Sequence, residues 1–108
     1  YKDFVKDTNL NYVKISSSFT LDTAYPNPFN GSIKIPFQSS IDTYAEILIH
    51  SVLGQEIYRK KLSQSELQKG FIYWNPLNSY QKKLSSGTYI INAKTAFTNS
   101  NQKILFIK

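Results

Sequence analysis

Residues 44–52 read Tyr-Ala-Glu-Ile-Leu-Ile-His-Ser-Val, and their alternation decides the fold class. Apolar side chains fall on every second position, which is the period of a β-strand with one face in a core. The predicted inward face carries Ala45, Ile47 and Ile49. The opposite face carries Glu46, Leu48 and His50. Because this stretch is richer in apolar residues than its neighbours, we expect it to be a central strand of a sheet.

A tight hairpin is predicted directly after this strand. Leu53-Gly54-Gln55 supplies the turn, and Gly54 provides the positive φ angle that a tight reversal often needs. Residues 56–62 are predicted to pair back as the second strand of the hairpin and to carry the basic run of residues 59–61 outward.

Other segments of the chain show the same alternation. In residues 32–37, Ile33, Ile35 and Phe37 share one face. Because Pro36 has no N–H to donate to a neighbouring strand, we expect this strand to lie at a sheet edge or to end in a bulge. Further strands are predicted at residues 71–74, 88–95 and 103–108, with a turn at residues 98–101 before the last one. The inward side chains of the second of these are Tyr89, Ile91 and Ala93.

Only one segment, residues 63–69, favours a helix. Ser63 and Glu66 have capping-box spacing and Gly70 ends the segment, but it is too short to be stable as a helix alone. Short strands separated by turn residues predict an all-β protein, an immunoglobulin-like antiparallel β-sandwich of about seven strands. We expect Trp74 to lie at the centre of its core.

Length and composition fit one domain of this class. The chain has 108 residues, 41% of them hydrophobic, and it has no Cys, so disulfides, thiolate metal sites and cysteine nucleophiles are excluded. Residues 1–18 are polar and are predicted to be a linker or a loosely attached N-terminal segment, and residues 19–108 to be the domain. The start at Tyr1, without Met or a leader, indicates a piece of a longer protein.

The basic charge does not indicate a nucleic-acid partner. Thirteen Lys and Arg residues against seven acids give a net charge of +6, but Arg59 is the only arginine and the lysines are dispersed. Dispersed lysines are typical of a solvated surface and of protected sheet edges. A weak, salt-dependent attraction to an anionic glycolipid or polysaccharide stays open.

The chain carries no motif that predicts an enzyme. His50 is the only histidine, and Glu46 on the same strand face is expected to be a neighbour rather than an orienting acid. The seven carboxylates are scattered, no serine lies in a strand-to-helix elbow, and the four glycines do not form a phosphate-binding loop. We therefore expect no catalytic residue, no metal and no cofactor.

Outward tyrosines allow a hypothesis of sugar binding. Tyrosine rings can stack on pyranose rings, and four tyrosines are predicted to be outward or in turns, namely Tyr44, Tyr58, Tyr73 and Tyr80. Tyrosine is also a favoured strand residue, which would account for them without any ligand.

Residues 25–30, Tyr-Pro-Asn-Pro-Phe-Asn, are the most specific stretch of the chain. Each proline fixes its own φ and pushes the residue before it into extended geometry, so the stretch predicts a rigid corner at the entry to the strand at residues 32–37. We expect Tyr25 and Phe29 to plug the end of the sandwich and the asparagine side chains to satisfy turn amides.

The motifs, in order, resemble a known family. Phe-Thr-Leu at 19–21 and residues 25–30 are followed by Val-Leu-Gly-Gln-Glu at 52–56, Trp74, Ser-Gly-Thr-Tyr at 86–89 and Lys-Ile-Leu-Phe-Ile-Lys at 103–108. Residues 19–108 thereby resemble the type A C-terminal sorting domain of the type IX (Por) secretion system. The candidate sorting-motif residues are Tyr25, Pro26, Asn27, Pro28, Phe29, Asn30, Gly54, Trp74, Gly87, Tyr89, Lys103 and Lys108.

The resemblance implies a non-catalytic secretion signal at the end of a Bacteroidota-type cargo protein exported by the Sec route. The expected partners are the outer-membrane translocon, the upstream cargo domain, a sortase-like cysteine protease that cuts before Phe19, and an anionic surface glycolipid. The expected location is the periplasm in transit, and then the medium or the cell surface.

The resemblance also suggests roles for individual segments. Gly87 is expected to permit close strand approach and Tyr89 to bury its ring. Residues 103–108 are expected to complete the sheet and to present an exposed edge to which a receptor adds a strand.

An alternative reading comes from a different class of protein. It is a β-sandwich accessory module that binds polysaccharide or packs against an upstream catalytic domain. Measurements of export and of sugar binding separate this module from the sorting domain.

Overall fold

The computed structural model describes residues 18–40, 44–76 and 84–108, and two antiparallel β-sheets make up most of this part of the chain. The strands within it are β1 (Phe19–Leu21), β2 (Ile33–Ser39), β3 (Ala45–Ser51), β4 (Glu56–Lys61), β5 (Phe71–Trp74), β6 (Gly87–Thr95) and β7 (Asn99–Phe106). One sheet has the order β1-β2-β5, and the other has the order β4-β3-β6-β7. The prediction of an all-β sandwich of about seven strands is confirmed.

The core lies between the two sheets and is made of the inward faces that the alternation predicted. The side chains of Ile33 and Ile35 on β2 are fully buried, as are those of Ile47 and Ile49 on β3. On the terminal strands the same inward position is taken by Tyr89, Ile91, Ile104 and Phe106. The strand β3 pairs with β4 on one side and with β6 on the other, so its predicted central position is confirmed.

The strand β2 lies in the middle of its sheet without a register shift, so the edge position or bulge predicted from Pro36 is wrong. The carbonyl of Pro36 accepts the N–H of Asp22 at 2.9 Å. Beyond Leu21, where β1 ends, the chain reaches the other sheet, and the Gln102 side chain binds the backbone of Asp22 and Ala24. Proline is therefore tolerated at position 36, because the β1–β2 pairing has already ended there and no strand residue needs its N–H.

The one helix in the described residues, α1 (Gln64–Lys69), is held by its caps and by one core contact. Ser63 and Glu66 form the predicted capping box, and Gly70 ends the helix with a φ of 86°. Leu67 is buried against the core. These contacts compensate for a length at which an isolated helix is unstable.

Two turns differ in how well the sequence predicted them. The β3–β4 turn has Gly54 at a φ of 91°, as expected. The turn predicted at residues 98–101 is wrong, because β7 already begins at Asn99. The Thr95 hydroxyl accepts the N–H groups of Phe97 and Thr98 and closes the reversal earlier.

The prediction that residues 1–18 are a linker falls almost wholly on residues 1–17, which lie outside the described residues. The same holds for Tyr80. No helix in the described ranges is long and apolar enough to cross a membrane.

Candidate functional site

Residues 25–30, called the strap from here on, lie along the outer edge of the last strand. Phe29 donates its N–H to the carbonyl of Leu105 at 2.9 Å and accepts the N–H of Ile107 at 2.8 Å. These bonds make a parallel bridge between Phe29 and Phe106. The peptide bonds before both prolines of the strap are cis. The strap thus acts as a short additional strand on β7.

The side chain of Asn27 extends this pairing. Its Oδ1 accepts the N–H of Leu105 at 2.9 Å, and its Nδ2 donates to the carbonyl of Lys103 at 3.4 Å. The expectation that the asparagines satisfy turn amides is therefore wrong for Asn27, which binds the backbone of a strand. Asn30 is exposed and its side chain makes no hydrogen bond with the described residues.

The two aromatic residues of the strap differ in burial. Phe29 is buried, with its ring centroid 5.2 Å from Phe106 and 6.0 Å from Trp74, so its predicted role as a plug is confirmed. Tyr25 is 52% exposed, so the same expectation is wrong for it. Tyr25 exchanges two backbone hydrogen bonds with Lys34, which points outward from β2, and the tyrosine therefore shares that outer face.

The indole of Trp74 is the centre of an aromatic cluster, as predicted. It is 4% exposed and contacts Phe29, Tyr58 and Tyr89 with centroid distances of 6.0 to 6.4 Å. Tyr58, expected to point outward, is half-buried against this indole, and burial raises the pKa of its phenol. Tyr89 is buried as expected, and its hydroxyl donates to the carbonyl of Ser85 at 2.6 Å. Burial raises the pKa of Tyr89 as well.

The Ser-Gly-Thr-Tyr motif at 86–89 holds the end of the chain. The N–H of Lys108 donates to the hydroxyl of Ser86 at 2.8 Å, and Gly87 is opposite Phe106 in the register. The expected close approach at Gly87 is wrong, because a Cβ built there meets nothing within 4 Å. Its φ of 155° is the property that favours glycine at this position.

The outer edge of β7 is occupied over the residues where an open edge was expected. The strap binds four backbone groups there, namely the carbonyls of Lys103 and Leu105 and the N–H groups of Leu105 and Ile107. The expectation of a free edge for a receptor strand is therefore wrong between residues 103 and 107. The side chains of Lys103, Leu105, Ile107 and Lys108 are exposed instead.

The candidate sorting residues gather at one end of the sandwich. The register aligns Ser51, Tyr89 and Ile104 across the larger sheet, so the turn with Gly54 lies at the same end as Gly87 and the strap. Gly54 acts within its own turn, which it closes by donating its N–H to the carbonyl of Ser51 at 2.9 Å.

The two glutamates of the larger sheet, Glu46 and Glu56, are both paired with Arg59. Arg59 binds Glu46 and Glu56, each at 2.9 Å, and its hydrogen bond lowers the pKa of Glu56. Glu46 is thus engaged with Arg59, and His50 has its Nδ1 3.2 Å from the carbonyl of Ser51. A shallow groove of about 630 Å³ is lined by His50, Ile90, Asn101, Gln102 and Lys103, with one histidine and no carboxylate.

Sequence reasoning missed the polar side chains that join distant segments. Gln102 bonds the chain after β1 at 2.7 and 2.9 Å, and Asn27 and Ser86 bind the last strand. Each belongs to a residue type that is common on surfaces, so no local pattern marks it. The position of Asn27 between two prolines was the only available signal.

Fold and site together define a β-sandwich domain whose ordered chain end is tied into the sheet by a proline-rich strap. A comparison with protein families matches residues 23–108 to the family described as "Secretion system C-terminal sorting domain". The match covers the strap, Trp74 and the last strand, and the chain belongs to this family. It is a C-terminal sorting signal for type IX secretion, and its family consists of sorting signals rather than enzymes. No curated protein matches the chain.

Membership of this family has two consequences for function. A type IX sorting signal implies interaction with the type IX secretion machinery and export that ends in secretion or surface attachment.

Proposed function

We propose that the outer-membrane translocon of the type IX system recognises this domain through the surface that the strap and the last strand form together. The observation that carries the proposal is the set of strap hydrogen bonds to residues 103–107, which makes two segments far apart in sequence into one surface. A receptor that must contact both segments at once binds only the folded domain, because the unfolded chain does not hold the two segments together.

Side chains of the last strand are the part of this surface that is free to bind. Lys103, Leu105 and Ile107 alternate with buried residues and therefore lie on one outer face. Leu105 is 39% exposed and Ile107 is 48% exposed although both are apolar, and exposed apolar side chains grouped together mark contact sites. Because the strap covers the backbone edge, we propose recognition by side chains rather than by addition of a strand.

The finer assignments rest on the family resemblance. The domain is of type A and belongs to a Bacteroidota cargo protein that crosses the periplasm after Sec export. A sortase-like cysteine protease cleaves it in the polar stretch before Phe19 and attaches the cargo to an anionic surface glycolipid. The polar composition of residues 1–18 supports this cleavage position. The family match gives no comparable support to the accessory-module alternative.

The test is export of a fluorescent reporter fused to the 108-residue chain in a host with the translocon. The double variant Leu105→Ser with Ile107→Ser removes the exposed apolar pair, and we expect the reporter to accumulate in the periplasm. The matched control is Phe97→Ser, since Phe97 is 76% exposed in the β6–β7 turn, at the other end of the last strand.

Deletion of residues 103–108 gives a second comparison, but it also removes the partners of the strap. The thermal unfolding of each purified variant therefore accompanies the export assay. Normal export of a folded Leu105→Ser, Ile107→Ser variant contradicts recognition through this surface.

A further inference from the structure

Three aromatic side chains lie side by side on the outer face of the smaller sheet, and we call them the aromatic face: Tyr25, Phe71 and Tyr73. Tyr25 is 52% exposed and Tyr73 is 58% exposed, while Phe71 is half-buried. The ring centroids of Phe71 and Tyr73 are 5.5 Å apart in an edge-to-face arrangement. Neither exposed tyrosine hydroxyl has a hydrogen-bond partner within the described residues. The aromatic face thus offers both apolar rings and free hydroxyls to solvent.

The register explains why these rings meet. Lys34 on β2 lies opposite Tyr73 on β5, and on its other side it lies opposite Tyr25 of the strap. Residues directly opposite in a sheet share a face, so the two tyrosines flank Lys34 with their Cα atoms about 10 Å apart. This separation is wider than one pyranose ring, and it suits a ligand that extends over consecutive sugar units.

Two ammonium groups lie over the rings. The Nζ of Lys34 is 4.2 Å from the centroid of Phe71 and 5.9 Å from that of Tyr25, and the Nζ of Lys69 is 5.6 Å from the centroid of Phe71. Within the described residues neither lysine has an ion pair. These positions make the aromatic face cationic as well as apolar.

The carboxylates of the described residues are engaged elsewhere. Glu46 and Glu56 bind Arg59 on the larger sheet, and Glu66 binds Lys60. Asp22 lies opposite Pro36, two residues along β2 from Lys34, and accepts a hydrogen bond from Gln38 at 3.3 Å, but it forms no ion pair with Lys34 or Lys69. No described carboxylate thus forms an ion pair with the two lysines, so both ammonium groups are available to pair with an anionic ligand.

We infer that the aromatic face binds an oligosaccharide that carries carboxylates. The C–H groups of the sugar rings pack on the tyrosine rings, the tyrosine hydroxyls bond to sugar hydroxyls, and the carboxylates pair with Lys34 and Lys69. A protein partner fits less well, because a stable protein interface buries roughly 800 Å² on each side, and this face consists of three rings and two lysines. The inference goes beyond the sorting function and does not depend on it.

The test is binding of the intact 108-residue chain to oligogalacturonate, measured by titration calorimetry. Tyr73→Ala and Lys34→Ala are each expected to weaken binding by roughly tenfold or more. The matched controls are Tyr44→Ala and Lys61→Ala, because Lys61 lies 5.3 Å from the ring of Tyr44 on the larger sheet and forms the same kind of pair. These controls are expected to change affinity by less than about twofold.

Three results would overturn the inference. The first is absence of binding to oligogalacturonate. The second is that Lys34→Ala and Lys61→Ala weaken the binding of oligogalacturonate equally while Tyr73→Ala has no effect. This result would indicate that binding depends only on the net charge of the protein. The third is equal affinity for poly-glutamate, which indicates an acidic peptide as the ligand class. None of these results bears on export, so failure here is distinct from failure of the proposed secretion signal.

Discussion

The side chain of Asn27 joins two parts of the protein that are 78 positions apart in sequence. Both ends of its amide bind backbone groups on the outer edge of β7. A side-chain amide carries one C=O acceptor and an NH₂ donor, like the groups of a peptide unit, so it substitutes for one more residue of strand pairing. The strap is therefore attached by the side chain of Asn27 as well as by the backbone of Phe29.

Asn27→Ala is expected to lower the free energy of unfolding by about 1–2 kcal/mol, since it removes two hydrogen bonds and leaves the N–H of Leu105 without a partner. Amide exchange at Leu105, followed by NMR, is expected to accelerate. The matched control is Asn30→Ala, which removes an exposed side chain of the same type. Equal exchange rates at Leu105 in the two variants would contradict this role for Asn27.

Tyr89 combines a buried ring with one specific hydrogen bond. Tyr89→Phe keeps the ring and removes the bond to the carbonyl of Ser85, so we expect a loss of about 1 kcal/mol in urea unfolding. Tyr44→Phe, at a ring that is 51% exposed, is expected to have little effect. If both variants unfold at the same urea concentration, the hydroxyl of Tyr89 does not stabilise the fold.

Burial at single positions was predictable wherever a strand alternates, and less so in the strap. The inward residues of β2, β3 and β6 followed from the period-two pattern. Tyr25 and Phe29 are both aromatic and both lie next to a proline, yet one is exposed and the other is buried. Their difference comes from pairing with different sheets, which a local pattern does not contain.

At the scale of elements, α1 depends on its first turn. The Ser63 hydroxyl accepts the N–H of Glu66, and the Glu66 carboxylate accepts the N–H of Ser63 at 2.9 Å and binds Lys60 at 3.0 Å. Ser63→Ala is expected to cost about 1 kcal/mol of unfolding free energy. Ser65→Ala, two residues further along the chain and exposed, is expected to cause no loss of stability, since alanine is the better helix former. Equal unfolding midpoints for the two variants would contradict a stabilising cap.

The same carboxylate predicts a pH dependence. Burial, the largest single influence on Glu66, raises its pKa, but the bonds from Ser63 and Lys60 together outweigh burial and lower the pKa overall. A lowered pKa in the folded state means that the carboxylate stabilises the fold above the ordinary glutamate pKa. This stabilisation is lost as the pH falls from the ordinary glutamate pKa through the lowered value.

Glu66→Gln is therefore expected to lower stability at neutral pH and to flatten the acid side of the curve of unfolding free energy against pH. Part of the acid dependence remains in this variant, because the hydrogen bond from Arg59 also lowers the pKa of Glu56. Parallel curves for the wild type and Glu66→Gln between pH 3 and 7 would contradict the prediction.

The sequence predicted which elements exist and whether they are strands or helices. It predicted their positions in the sheets and their exact ends less well. The capping box and the hairpin turn are local, and both occur as expected. The position of β2 and the start of β7 depend on where other segments end, on the turn away after Leu21 and on the hydroxyl of Thr95. Both depend on tertiary contacts, and for this reason Pro36 alone led to the wrong prediction that β2 lies at a sheet edge.

At the scale of the whole molecule, Phe29 joins the two sheets, since its ring touches Trp74 on one and Phe106 on the other. Phe29→Ala is expected to lower the unfolding free energy by about 3–5 kcal/mol because it leaves a cavity in the core. Phe97→Ala, at an exposed ring, is expected to have little effect. A small loss for Phe29→Ala would show that the strap is not part of the core.

Because Trp74 lies on β5 of the smaller sheet and contacts Tyr58 and Tyr89 of the larger sheet, its fluorescence reports on the packing of the two sheets together. We expect tryptophan fluorescence and far-ultraviolet circular dichroism to give superimposable unfolding curves in urea. Separate transitions for the two signals would indicate that the sheets unfold independently.

The strap has a consequence for molecules that carry this domain at high concentration. An unpaired outer strand is a template on which a second copy can polymerise, and here the strap occupies that template over residues 103–107. At the opposite border of the same sheet, β4 carries Lys61, which is exposed and has no ion pair within the described residues, and such an edge lysine disfavours pairing with a second copy. Cargo proteins that carry this domain can therefore accumulate without polymerising through the edges of the larger sheet.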